Sequence, residues 1–68
     1  MDGINNILDV KALLRRFGIV IYMGDRLTDY EMWEEELREL YQESMIDMEE
    51  FRAAMMILQK AKRNDVDV

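Results

Sequence analysis

The sequence predicts an all-α fold, a compact three-helix bundle, on three observations. Proline is absent and glycine occurs only three times in 68 residues, so little in the chain interrupts a helix. Three apolar stretches each follow a residue able to cap a helix N-terminus. Within each stretch the apolar residues recur at intervals of three and four, which gathers them on one helical face.

The first helix is expected to open at Asp9, with Leu8 and Leu13 flanking the cap at the spacing of a hydrophobic staple. Ala12 stands where a full capping box would have Glu or Gln. Val10, Leu13, Leu14 and Phe17 form its apolar side, and Lys11, Arg15 and Arg16 turn mostly outward. The β-branched run Ile19-Val20-Ile21 has strand propensity, but no second strand is available to satisfy its backbone. The preferred reading therefore continues the helix through Gly18 to about Tyr22, with Gly24 as the left-handed residue beyond its end. The alternative stops the helix at Gly18 and leaves an extended apolar connector.

The second helix is expected to start at Thr28, with Glu31 completing a capping box and Leu27 and Met32 the staple. Tyr30, Trp33, Leu37, Leu40 and Tyr41 make its apolar stripe, and Glu34, Glu35, Glu39 and Glu43 lie largely off it. Asp47 and Glu50 form the same box before the third helix, with Ile46 against Phe51. That helix carries Phe51, Ala54, Met55, Leu58 and Ala61, widened by Ala53, Met56 and Ile57 beyond a single face. The short link Gln42 to Ile46 makes the second and third helices an antiparallel hairpin, closed by the first. The expected organisation is an N-terminal segment 1–8, one domain 9–63 and a frayed tail 64–68.

So short a chain forms one domain at most. Having neither cysteine nor histidine, it has no disulfide, thiolate zinc site, imidazole base or cysteine nucleophile. No apolar run approaches the ~20 residues that span a bilayer, and Met1 to Asn6 has no leader pattern, so a cytoplasmic location without membrane contact is expected. The net charge of −6 is unevenly spread: residues 1–26 carry +1, residues 27–51 carry −9, and residues 52–68 carry +2. An acidic chain is repelled by phosphate backbones at long range.

Four groups are candidates for chemistry. Glu35, Glu39 and Glu43, with Glu36, follow one another at helical spacing, yet lack the neutral oxygen ligands of a cation site and read better as a solvated face. Lys11, Arg15, Arg16, Lys60, Lys62 and Arg63 form a nucleic-acid-binding patch if the relevant ends of the first and third helices meet, with Phe17 or Tyr22 as a stacking surface. The plain alternative is that the bases of the third helix offset its dipole and the others are solvated. Gly24-Asp25-Arg26 precedes a helix start where an anion can bind, but the helix supplies its own acceptor and reads as a structural turn. Met45, Met48, Met55 and Met56 are gap-filling core residues or an adaptable protein-interaction surface. None of these groups makes an enzyme, and no cofactor is implied.

Several segments together resemble a known family. Asp9-Val10 with Leu13-Leu14, then Ile21-Tyr22-Met23-Gly24-Asp25-Arg26, Glu36-Leu37-Arg38-Glu39-Leu40-Tyr41, and Ile46-Asp47 before Glu50-Phe51 are similar to the YqgQ-like family of small proteins from Gram-positive bacteria. The likeness runs from about Leu8 to Lys62 and implies a compact three-helix fold and cytosolic residence. The family's function is not established; single-stranded nucleic-acid binding is a suggestion, and the net charge with Asp65 and Asp67 weighs against it here. Glu36 to Leu58 also resembles the SHOCT-type helical hairpin, which is associated with oligomerisation. The expected function is a non-enzymatic protein-interaction or self-association module, with single-stranded RNA binding through a local basic patch as the alternative.

Overall fold

Each helix of the protein begins at a side chain that accepts a hydrogen bond from an amide three residues on. The computed structural model describes residues 3–66, in which three helices follow one another: α1 (Ile7–Arg16), α2 (Arg26–Gln42) and α3 (Met48–Val66). Asp47 accepts from the Glu50 amide at 2.7 Å while Glu50 accepts from the Asp47 amide at 3.2 Å, the reciprocal box expected for α3.

The other two starts lie earlier than Asp9 and Thr28. Asn6 caps α1 by accepting from the Asp9 amide at 3.0 Å, and Asp9 instead reaches back to the Asn5 amide at 2.9 Å. Leu8 is 71% exposed and staples nothing, because the earlier start turns Val10, Leu13 and Leu14 inward instead. Asp25 caps α2, accepting from both the amide and the hydroxyl of Thr28. Thr28 therefore helps from the first turn and is not itself the cap. Gly24 makes this possible: its φ of +89° lets the chain turn sharply into Asp25.

The first helix does not run on to Tyr22. It ends at Arg16, where Gly18 adopts φ +78° and the amides of Gly18 and Ile19 return to the carbonyls of Arg15 and Leu14. This is a Schellman closure, which satisfies carbonyls that a helix end would otherwise leave open. The extended connector that follows needs no second strand. The Trp33 indole N–H donates to the Ile21 carbonyl at 3.2 Å, and the buried Asp29 carboxylate accepts from the Met23 amide at 2.7 Å. Side chains of α2 thus hold one side of the connector as a neighbouring strand would.

The same closure ends α2, with Ser44 at φ +60° and the amides of Ser44 and Met45 bonded to the carbonyls of Tyr41 and Leu40. The chain then reverses, and α2 and α3 share the largest helix–helix interface. Tyr41 and Phe51 stack across the reversal, their ring centroids 4.7 Å apart. Asn64 to Val66 continue α3, whereas the remainder of the expected tail, residues 67 and 68, lies outside the described residues.

The core is built from Val10, Leu13 and Leu14 of α1, Tyr30, Trp33, Leu37 and Leu40 of α2, Ile46 of the turn, and Ala54 and Leu58 of α3. Burying each of the large aliphatic side chains contributes about 1.5–3 kcal/mol. Glu34 is the unexpected member of this interior. It follows Tyr30 by four residues and so shares the stripe, 5% exposed, with Lys62 of α3 donating to its Oε1 at 2.9 Å.

Candidate interaction surface

The apolar excess of α3 emerges where the helix passes the start of α1. Met56 is 69% exposed, and with Ile57, Ala61 and Ile7 it lines an open, mainly apolar cleft of about 410 Å³, bordered by Asn5 and Lys60. The geometry follows from the antiparallel course of α1 and α3, since the start of one helix lies beside the later turns of the other. Met45 and Met48, 54% and 53% exposed, flank the turn between α2 and α3. Met55 is half-buried and packs on the core. The four methionines therefore do not form one patch: Met56 lies eight residues, about 12 Å along the helix axis, from Met48.

The antiparallel course also divides the bases. Arg16 lines a groove with Asp47, Glu49 and Glu50 at the acidic start of α3, at the opposite end of that helix from Lys60, Lys62 and Arg63. Lys62 is committed to Glu34. Lys60 borders the apolar cleft, and Arg63 is exposed on the last turns of α3. Lys11 and Arg15 come together beside Ile19, Val20 and Ile21, with the Lys11 ammonium 5.9 Å from the Trp33 ring centroid.

Glu35, Glu39 and Glu43 are exposed along α2 and Glu36 is half-buried. Among the described residues no three carboxylates converge where a cation would sit. At the start of α2 the Asp25 carboxyl is held below its ordinary value of 3.8, first by the Thr28 hydroxyl and then by the Thr28 amide. The negative charge that the helix N-terminus attracts is thereby supplied from within the chain. Among the described residues no helix is long and apolar enough to cross a membrane.

Sequence reasoning missed Glu34, Asp29 and the indole N–H of Trp33 as structural polar groups. The signal for Glu34 was its place between Tyr30 and Leu37 at intervals of four and three. For Asp29 and Trp33 there was no local signal, because their partners lie six and twelve residues away in a segment without regular structure.

Two comparisons bear on identity. A family model described as YqgQ-like matches residues 4–64. The chain is also 41% identical over 56 residues to the uncharacterized protein YqgQ of Bacillus subtilis (strain 168), a match covering 82% of this chain and 79% of that one. With the family pattern spanning all three helices and the connector between the first two, the chain belongs to the YqgQ-like family.

Proposed function

We propose that this protein is a small non-enzymatic cytosolic module that acts by docking on another protein through the α1–α3 cleft. The observation that carries this reading is Met56, a large flexible thioether 69% exposed beside Ile57 and Ala61 in a cleft that Ile7 continues. Flexible apolar side chains around a concave surface suit a partner helix or loop. The rim supports the same reading, with Asn5, Asn6, Lys60 and Asn64 offering polar groups around an apolar centre.

The test is site-specific photo-cross-linking in the cell of origin, with a benzophenone side chain at position 56 or, as a control, at the exposed Glu39 of α2. Discrete adducts at position 56 and none at position 39 are expected. The same pattern at both positions, or none at either, removes the reading.

Single-stranded nucleic acid is the competing partner. Its support is confined to Lys11 and Arg15 beside Trp33, since Lys62 is neutralised and Arg16 faces acids. Titration of labelled single-stranded RNA at low and near-physiological salt separates the two. Salt-sensitive binding lost on replacing Lys11 and Arg15 would establish the competing reading.

A further inference from the structure

The connector from Ile19 to Met23 has two unlike edges. In an extended chain the N–H and C=O of one residue point to one side and those of its neighbours to the other. The side shared by Ile19, Ile21 and Met23 is engaged at every residue by a bond within the molecule: the Ile19 amide on Leu14, the Ile21 carbonyl on Trp33, and the Met23 amide on Asp29. The other side belongs to Val20 and Tyr22, whose backbone groups have no hydrogen-bond partner among the described residues. Their side chains are also the most solvated large apolar groups among the described residues, 74% and 82% exposed, while Ile19 and Ile21 pack on the core. Burial alternates with a period of two from Ile19 to Tyr22, ending at the exposed Met23, and hydrogen bonding alternates through Met23; both leave Val20 and Tyr22 outward.

We propose that this free edge pairs with the same edge of a second copy of the chain, forming a two-stranded antiparallel ribbon centred on Ile21. The free groups are self-complementary about that centre. Val20 of each chain faces Tyr22 of the other, and the two residues exchange both of their N–H to C=O bonds, so every unpaired group of the edge is used. The side chains brought opposite each other are aromatic and β-branched, a favourable cross-strand pair. Charge selects the antiparallel direction. The chain reaches the connector past Lys11, Arg15 and Arg16 and leaves it through Asp25, Asp29 and Glu31, with Arg26 the one base among them, into the acidic α2. Antiparallel pairing sets the basic approach of one copy beside the acidic exit of the other, whereas parallel pairing sets like beside like. The outer edge of each strand is covered by Trp33 and Asp29 of its own α2, so association stops at two. This surface lies apart from the Met56 cleft and does not depend on it.

Two experiments on the full chain test the proposal. Sedimentation equilibrium across a wide concentration range is expected to show a monomer–dimer equilibrium for the wild type. Val20→Pro, which removes an N–H unused within the monomer, should raise the dissociation constant about tenfold or more, with helical circular dichroism unchanged. The second experiment exploits the lack of native cysteine. Val20→Cys and Tyr22→Cys proteins are mixed and oxidised, and the mixed disulfide is expected to exceed either homodimer, because position 20 faces position 22 and lies diagonal to its own copy. This second test uses exposed positions and stands even if the proline variant unfolds. A wild type that stays monomeric up to about 1 mM would overturn the proposal and leave the edge to another protein's strand. A preference of position 20 for itself would overturn it equally.

Discussion

At the scale of single residues, the most consequential group is Glu34. Its carboxylate is buried, one oxygen bonded to Lys62 at 2.9 Å and Oε2 without a hydrogen-bond partner among the described residues. A buried ion pair gains little over an apolar pair of the same shape, but breaking it strands a charge. Replacing Lys62 by Met should therefore destabilise the domain by about 2 kcal/mol, less than a fully buried pair would lose because the lysine is partly solvated. Adding Glu34→Met should recover most of that loss, as read from urea midpoints of the single and double variants. Asp25 acts in the opposite environment, solvated and at a helix start. Because its carboxyl is depressed below 3.8 in the folded state, it contributes stability that is present above that value and lost as pH falls through the folded one. The difference in thermal midpoint between wild type and Asp25→Ala should accordingly be widest at neutral pH and narrow in acid.

At the scale of elements, the same closure ends α1 and α2 with different residues at the left-handed position. Gly18 sits at φ +78° with open space where a Cβ would stand, and Ser44 sits at φ +60°. A side chain in this region costs about 1 kcal/mol relative to glycine. Ser44→Gly should stabilise the protein by about that amount and Gly18→Ala should destabilise it similarly, since no contact intervenes at Gly18. Denaturation of the two variants checks both signs. These ends also show which boundaries were legible. Asp47 and Glu50 were read correctly because the box is local and complete. Asn6, Asp25 and Ser44 were not. Asn6 and Asp25 each preceded another plausible cap by three residues, and Ser44 lacks the glycine that usually marks a closure. The end of α1 differs for another reason: a strand is not needed to hold the connector, because two side chains of α2 bond its Ile21 carbonyl and Met23 amide.

At the scale of the whole molecule, 68 residues support about 3–10 kcal/mol of stability, so a single core side chain is a large share of the total. Leu58 is fully buried where α3 meets the other helices. Leu58→Ala should lose about 2–5 kcal/mol and leave a measurable unfolded fraction at room temperature, seen as lost helical circular dichroism and a collapsed urea midpoint. Exposed Met56→Ala should change stability little, because that side chain covers no core.

The sequence by itself determined the helical class, the number of helices, the α2–α3 hairpin and the apolar residues that each helix turns inward. Those follow from apolar spacing and from capping bonds that close within one turn, and both are local. Only the tertiary structure decided that Glu34 is buried, that the bases of α1 and α3 are divided among separate surfaces, and that the connector is extended with one edge unused. Each of these depends on which distant group arrives beside a residue: Lys62 is 28 residues from Glu34, and Trp33 is twelve from Ile21. A one-dimensional pattern records a residue's preference for burial. The partner that satisfies it after burial is settled by how the helices pack.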